Sequence, residues 1–210
     1  MGLPADKVDI CNLALSLLKS DIVVTNIEEP ENEEEEVCSK WYDITRQAVL
    51  RAFSWNFAKK RASISRSGTP EEYADEYQLP DDYVNLVFIG EDIDEDYETD
   101  YSIEGDKILI NNGAASTLNI KYIWNIENVQ KFDPLFTMLL VHELAIVLAN
   151  QISGLNKSTK KIDKDRDRWE VKARSKNGQE NHPRQRYVSP LASAKRRGRS
   201  SSLSDGVHLF

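Results

Sequence analysis

Histidine and cysteine are scarce in this sequence, which excludes most catalytic and metal-binding arrangements. Of the 210 residues, 3 are His and 2 are Cys. His142-Glu143 begins like the zinc-protease motif, but Ile146 occupies the position of its second His. His182 and His208 lie near the C-terminus, so the sequence has almost no histidine from which a Ser-His-Asp or Cys-His site could be built. Gly-rich phosphate loops of the GxGxxG and GxxxxGK types are absent.

Acidic residues are plentiful, but their distribution does not favour catalysis. They crowd into two runs, residues 28–36 and 91–100, where no apolar neighbours raise a carboxyl pKa. Composition alone leaves open a glycosidase-like pair of carboxylates. We expect a protein that is not an enzyme and that uses no metal and no cofactor.

The two cysteines, Cys11 and Cys38, are far apart in the sequence and set among helical apolar residues. We expect buried free thiols, as in a reducing cytoplasm, with a disulfide as the alternative. The first ten residues lack the apolar segment of a signal peptide. The longest apolar stretch, residues 135–149, contains a His and a Glu and is shorter than the roughly 20 residues of a membrane span. These features predict a soluble chain that contacts no membrane.

The net charge of −8 is very unevenly distributed along the chain. Residues 1–156 carry 12 Lys/Arg against 29 Asp/Glu, a net charge of −17. Residues 157–210 carry 15 Lys/Arg against 6 Asp/Glu, a net charge of +9. An acidic body with a basic end indicates binding to an acidic partner or to another copy of the same chain.

Apolar periodicity predicts four helices, over about residues 6–19, 31–53, 133–153 and 157–177. The second helix has an apolar stripe along one side, formed by Val37, Trp41, Ile44, Ala48 and Ala52. The third is apolar on nearly every face, so we expect it to be buried in the core or against other subunits. The fourth is mostly charged and is expected to be exposed.

Local signals mark the ends of these helices. Pro30 is expected in the first turn of the second helix, where the acids that follow it suit the helix dipole. Asp133 and Pro134 are expected to cap and open the third helix. Gly154 is expected to end it, and the fourth helix is expected to end by Gly178. The large apolar residues of the fourth helix are Ile162, Trp169 and Val171.

Residues 58–126 alternate between apolar and polar and contain turn signals, which predicts a small antiparallel β module inserted between the second and third helices. Gly105-Asp106 and Asn112-Gly113 are the turn signals, and the alternating residues around them predict a hairpin. The predicted fold class is α+β: a bundle of about four helices with an inserted small antiparallel β module and an extended C-terminal tail.

One short stretch, VLRAFSWNFAKKRASI at residues 49–64, changes from a helical to an alternating pattern. Phe53, Trp55 and Phe57 lie at this change. We expect these aromatic residues, together with Trp41, to act as structural anchors. They would seat the end of the second helix on the core and set the point where the β module departs.

The C-terminal residues, 181–210, are rich in Ser, Arg and Pro and show no lasting periodicity. We expect one domain, residues 1–180, followed by a basic flexible arm that is disordered in isolation. The SAKRRGRSSS segment and the KKRASISR run at 59–66 are candidates for binding nucleic-acid phosphates. The acidic body repels phosphate and argues against ordinary DNA binding.

The order of these segments resembles the head-to-tail adaptor family of short-tailed bacteriophages, also described as tail tubular protein A-like or gatekeeper connector proteins. The first helix, ICNLALSLLK, is similar to the family's I-N-x-A-L-x-x-L-G. The family's second helix, with the ending W-N-F-A-x-x-R, is similar to the segment CSKWYDITRQAVLRAFSWNFAKKRASI. The family's Y-x-L-P-x-D motif is similar to the segment EYQLPDDYVNL. The family's last buried helix is similar to the segment FDPLFTMLLVHELAIVLANQIS. The resemblance covers roughly residues 9–175.

The sequence departs from the family pattern at Lys19, where the family commonly has Gly. The first helix is therefore expected either to run on or to turn differently. The basic segment after residue 181 has no counterpart that we can assign, and the resemblance brings no catalytic residue.

The resemblance implies a structural virion protein that forms a ring of about twelve copies, joins the portal to the tail and continues the DNA channel. The implied partners are the portal ring, a tail tube or nozzle protein, and further copies of the chain, while DNA passes through without specific binding. The implied location is the virion tail below the portal, after synthesis in the host bacterial cytoplasm. The alternative is a DNA-binding or packaging accessory protein that uses the basic arm.

In this interpretation the arm orders on the portal or on a neighbouring subunit. The residues expected to make these contacts are Arg184, Arg186, Tyr187, Val188, Leu191, Lys195, Arg196, Arg197, Arg199, Leu209 and Phe210. Acids of the 91–100 run are expected to form an exposed loop that faces the channel or a ring face, where like charge keeps DNA from sticking. These acids are Asp92, Asp94, Glu95 and Asp96.

Overall fold

The computed structural model describes residues 4–70, 72–90, 101–111, 115–152 and 159–180. In this part of the chain the fold combines four α-helices with a six-stranded antiparallel sheet, as expected for the α+β class. The helices are α1 (Lys7–Leu17), α2 (Glu33–Arg51), α3 (Pro134–Gln151) and α4 (Lys160–Glu180). The strands are β1 (Lys59–Gly68), β2 (Asp75–Gln78), β3 (Tyr83–Ile89), β4 (Tyr101–Glu104), β5 (Lys107–Ile110) and β6 (Thr117–Trp124).

All six strands lie between α2 and α3 in the sequence, and their order across the sheet is β3-β6-β1-β2-β5-β4. The predicted turn at Gly105-Asp106 is confirmed, because β4 and β5 pair around these two residues. Gly105 has a φ of 61°, which Gly adopts without strain. The prediction that β5 and β6 form a hairpin with each other is wrong. β5 pairs with β2 and β4, while β6 pairs with β1 and β3. Asn112-Gly113 lies outside the described residues.

Each half of the molecule has its own apolar core. The helical core includes residues of all four helices and of the segment between α2 and β1. The sheet core consists of Ile64, Tyr77, Leu79, Ile108, Ile110, Leu118, Ile120 and Tyr122. Trp124, at the end of β6, packs against both clusters and so joins the sheet to the helices.

α3 is the helix against which α1, α2 and α4 all pack. Its start is as predicted: the Asp133 carboxylate accepts from Leu135 N at 2.7 Å and from Phe136 N at 3.2 Å, with Pro134 as first residue. By length and composition α3 could cross a membrane, contrary to the expectation that the run is too short. Over half of it is buried against the rest of the protein, as in a core helix. The predicted stop at Gly154 lies outside the described residues.

α2 begins at Glu33, not at Pro30. Asn32 is the N-cap, and its side-chain oxygen accepts from Glu35 N at 2.9 Å. Pro30 therefore precedes the helix instead of lying in its first turn. The shift follows from capping chemistry, because an Asn oxygen satisfies one of the free N–H groups at a helix start.

The expectation that the whole acidic run is solvated is wrong for Glu35, because this residue is only 2 % exposed. Its carboxylate accepts from Thr25 N and Thr25 Oγ1, both at 2.9 Å, and from Glu31 N at 3.0 Å. These donors favour the charged form and lower its pKa to about 2. Glu35 therefore ties the connector between α1 and α2 to the start of α2.

α1 ends in a left-handed turn at the position where the resembled family has Gly. Lys19 has a φ of 52°, and its N–H donates to Ser16 O at 3.0 Å. Ser20 N donates to Leu15 O at 3.2 Å, which completes a Schellman motif. Lys19 thus takes the backbone conformation that usually requires Gly.

Cys11 on α1 and Cys38 on α2 are free and buried, as predicted. Both cysteines lie in the helical core although they are far apart in the sequence. Interaction with Cys38 and burial raise the pKa of the Cys11 thiol.

α4 extends further than predicted at its C-terminal end, because it continues through Gly178 to Glu180. Ile162 packs against the helical core. Val171, expected to be one of its large apolar contacts, is 68 % exposed, and the small Ala173 is the buried residue of the helix.

Candidate functional site

The junction between α2 and β1 is an aromatic cluster built around Trp55. Trp55 is 2 % exposed, and its indole N–H donates to Val49 O at 2.9 Å. Its ring centroid lies 5.4 Å from that of Phe53, 6.1 Å from Phe57 and 5.2 Å from Phe136 of α3. The end of α2 is therefore packed directly onto the start of the central helix.

The same junction holds the C-terminal end of α4. Asn56 N donates to Asn177 Oδ1 at 2.7 Å, and Asn56 Nδ2 donates to Asn177 O at 2.9 Å. Asn177 Nδ2 donates to Ser54 O at 2.9 Å. These three hydrogen bonds, which we call the asparagine clamp, join segments that lie more than a hundred residues apart in the sequence.

Two further contacts place the last turn of α4 beside the junction. Asn56 Nδ2 lies 3.2 Å from Glu180 Oε2, and the Arg174 guanidinium lies 5.4 Å from the Phe53 ring centroid. The last described residue, Glu180, therefore lies beside the aromatic junction.

Sequence reasoning identified the aromatic residues of this junction but missed the clamp. Asn56 is visible in the sequence as the polar residue between Trp55 and Phe57. Asn177 lies in a charged helix and carries no pattern that distinguishes it from other exposed polar residues. Only the packing of α4 shows that the two asparagines are partners.

The apolar stripe of α2 faces an open groove along most of its length. Ile44 is 58 % exposed, and Ala48 and Ala52 are exposed as well. At the other end of the stripe, Val37 and Trp41 are half-buried and pack against the helical core. Trp41 therefore contacts both the core and the groove.

Residues of α2, α3 and α4 line this groove, which we call the α2 groove and which has a volume of about 380 Å³. Its α2 residues are Trp41, Ile44, Thr45, Ala48, Val49 and Ala52. The α3 residues are Leu139, Glu143 and Val147, and the α4 residues are Arg166 and Glu170. Arg166 Nη1 pairs with Glu143 Oε1 at 3.3 Å, which ties α4 to α3 along the groove.

A buried arginine lies on the face of α2 that packs against the core. Arg46 is 1 % exposed, and its guanidinium donates to Asn125 Oδ1 at 2.8 Å and to Ile126 O at 2.6 Å. It also pairs with Asp43 at 3.0 Å. Its donors are therefore satisfied inside, and it shares the buried face with Cys38, Tyr42, Val49 and Leu50, while Ile44 and Ala48 lie outside that face.

The β-sheet carries a group of cations in the acidic part of the chain. Arg61 and Lys121 are directly opposite on β1 and β6, and Lys59 lies two residues before Arg61 on β1. Burial and the charge of Lys121 lower the pKa of the Lys59 ammonium. Lys121 Nζ lies 6.0 Å from the Phe88 ring centroid, so the group has an aromatic neighbour.

The remaining predicted site residues lie outside the described residues. They are the arm residues Arg184, Arg186, Tyr187, Val188, Leu191, Lys195, Arg196, Arg197, Arg199, Leu209 and Phe210, and the acids Asp92, Asp94, Glu95 and Asp96. Within residues 4–70, 72–90, 101–111, 115–152 and 159–180, no group of three or more His, Cys, Asp or Glu side chains could hold a metal ion.

Comparisons with known proteins do not assign the chain to a family. No family model matches it, and no curated protein is significantly similar to it. What the chain does is therefore inferred from its own residues and geometry.

Proposed function

We propose that the protein is a head-to-tail adaptor, a structural virion protein that forms a ring of about twelve copies between the portal and the tail. The observation that carries the proposal is the aromatic junction. The W-N-F segment, one of several whose order carries the sequence resemblance, seats α2 on α3 through Trp55 and holds α4 through Asn56. Residues of the resemblance thus organise the helices around one point.

The finer architecture is part of this proposal. Helices α1 to α4 form a bundle that is the body of the adaptor, and residues 58–126 form an inserted β module that protrudes toward the next ring. Residues 1–180 form the adaptor domain, and residues 181–210 form the basic arm. In support of this division, the buried apolar residues form two clusters, one mainly of the helices and one of the sheet.

The partners follow from the charge distribution. The arm, with 6 Lys/Arg and 1 Asp/Glu in residues 181–210, contacts acidic surfaces of the portal or of a neighbouring copy. A tail tube or nozzle protein occupies the opposite face of the ring. Acids of residues 91–100 line the channel, so that DNA passes through without specific binding. The protein is made in the bacterial host cytoplasm and functions in the virion tail, without membrane contact and without catalysis.

Native mass spectrometry of the chain with the portal ring of its phage tests this function. We expect a 24.0 kDa monomer alone and a gain of about 290 kDa, corresponding to about twelve copies, on the portal. A chain ending at Glu180 should remain folded and add fewer copies, with full-length protein as the matched control. A portal ring that gains no mass from the full-length chain would contradict the adaptor function.

A DNA-binding or packaging accessory protein is the second candidate, and the cations of β1 and β6 favour it. Affinity for duplex DNA that falls steeply with added salt would support this function. Arg61→Ala and Lys121→Ala should then each reduce the salt slope by about 1. Lys40→Ala is the control, because Lys40 lies on α2 in an ion pair with Glu36. Duplex affinity that is negligible at low salt would remove this candidate.

A further inference from the structure

We propose that the α2 groove binds residues 187–191 of the same chain, the segment Tyr-Val-Ser-Pro-Leu. This inference goes beyond the adaptor function and holds or fails independently of it. It also differs from the sequence expectation that the whole arm is disordered until a partner binds.

The groove leaves apolar surface of α2 exposed to water. Ile44 is more than half exposed, and Ala48 and Ala52 continue the same stripe at helical spacing. A concave, mostly apolar groove with a few polar groups at its rim is the usual form of a binding site. Here the rim is formed by the Arg166–Glu143 ion pair and by Glu170.

The chain enters its C-terminal segment close to one end of this groove. The described part of α4 reaches Glu180, whose carboxylate lies 3.2 Å from Asn56 Nδ2. Asn56 follows Ala52, the last groove residue of α2, by four residues. Arg174 lies over Phe53, the neighbour of Ala52, so α4 and the end of the groove are in contact.

The length of the segment matches the distance that it has to cover. From Ala52 to Trp41 the stripe spans eleven residues of helix, or about 17 Å at 1.5 Å per residue. Residues 181–186 provide a connection of at most about 20 Å, and residues 187–191 cover a further 16 Å or so when extended. The connection reaches the Ala52 end, and the five-residue segment then fills the groove.

The composition of the segment suits an apolar groove. Tyr187, Val188 and Leu191 are the first large apolar residues after α4. Pro190 disfavours helix at Ser189 and favours extended backbone, which is the conformation that five residues need to span the stripe. Tyr187 can bury its ring while its hydroxyl remains at the polar rim.

If the protein is an adaptor, this contact determines when the arm can bind the portal or a neighbouring copy. In the free chain the segment covers the α2 stripe and cannot contact a portal or a neighbour. A partner that binds residues 187–191 more tightly than the groove does would release the stripe. The groove then becomes an interface for the next copy in the ring.

Disulfide crosslinking in the full-length free protein tests the proposal. The variant Ala48→Cys/Val188→Cys places one thiol in the groove and one in the segment. Cys11 and Cys38 are fully buried, so the introduced thiols do not reach them in the folded protein. Glu104→Cys/Val188→Cys is the control, because Glu104 is exposed on β4, in the sheet. Peptide mapping, denaturing gels without reductant and the mass of the product identify which thiols have joined and whether they belong to one chain.

We expect a 48–188 crosslink within monomers that forms at least about tenfold faster than the 104–188 crosslink, because the groove raises the local concentration of the segment. A crosslink that joins two chains would overturn the proposal and assign the groove to the arm of a neighbouring copy. Equal rates for the two pairs would also overturn it.

Limited trypsin digestion of otherwise native protein gives a second measurement. Arg184 and Arg186 are cleavage sites next to the docked segment. Ile44→Asp should accelerate their cleavage by at least about tenfold, since a carboxylate in the groove weakens apolar contacts. Gln47→Asp adds the same charge at an exposed α2 position that does not line the groove. Equal acceleration by the two variants would refute docking. Neither experiment contains a portal, so failure here leaves the adaptor test unaffected.

Discussion

Replacing Asn177 with Ala should loosen the end of α4 and destabilise the whole helical part. The change removes two side-chain hydrogen bonds of the asparagine clamp, from Asn56 N at 2.7 Å and to Ser54 O at 2.9 Å. It retains the bond from Asn56 Nδ2 to Asn177 O. Each lost hydrogen bond contributes about 1 kcal/mol, and leaving half-buried backbone groups without these partners raises the total to about 2–3 kcal/mol.

For a protein of this size, such a loss lowers Tm by roughly 4–12 °C. Differential scanning calorimetry measures the global effect. Amide hydrogen exchange of residues 173–180 tests whether the loss is concentrated in the last turns of α4. Ser175→Ala is the matched control, because Ser175 is exposed on the same helix and should change the unfolding free energy by less than about 0.5 kcal/mol.

A double-mutant cycle separates the clamp from general effects of the substitutions. Asn56→Ala and Asn177→Ala remove different hydrogen bonds of the clamp, but these bonds hold the same contact, so the double variant should be less destabilised than the sum by about 1–2 kcal/mol. Additive effects, or a single Asn177→Ala variant as stable as the Ser175→Ala control, would refute the clamp as the attachment of α4.

The remaining predictions concern stability, and calorimetry checks each of them. Trp55→Ala should cost about 3–5 kcal/mol, because it empties the centre of the aromatic cluster; unchanged Tm would show that the ring is not a core contact. Glu35 has its pKa lowered from 4.5 to about 2, so its stabilisation is complete above pH 4.5 and is lost as the pH falls toward 2. Glu35→Gln should therefore flatten the decline of stability over that window, and an unchanged acid profile would count against the role assigned to Glu35. Lys19→Gly should raise the unfolding free energy by about 0.5–1 kcal/mol by relieving a left-handed backbone at φ 52°; Lys19→Ala, which keeps the strain, should not.

The sequence predicted the elements whose causes are local. The cap and first residue of α3, Asp133 and Pro134, were found correctly because capping is decided within four residues. The β4–β5 turn at Gly105-Asp106 was found for the same reason. The start of α2 was missed by two to three residues, since Asn32 competes with Pro30 as a start signal and only the former caps.

Features that depend on distant partners were not predictable in this way. Strand pairing is one example, because β5 and β6 follow each other in sequence but lie on opposite sides of β1 and β2 in the sheet. Glu35 is another: an acid in a run of acids is buried because the connector from Thr25 to Glu31 wraps its carboxylate with donors. The spacing from Asn32 places Glu35 at the third helical position, but nothing local shows that its carboxylate is buried.

The sequence alone determined the α+β class, the positions of four helices, the aromatic junction and the separation of an acidic body from a basic end, since periodicity, capping and charge are properties of neighbouring residues. The tertiary structure decided which face of α2 is buried, where Arg46 finds its hydrogen-bond partners, and that Asn177 holds α4 to Asn56. The physical reason is that burying a polar group costs free energy unless other residues, here distant in sequence, complete its hydrogen bonds. Those partners exist only in the folded chain.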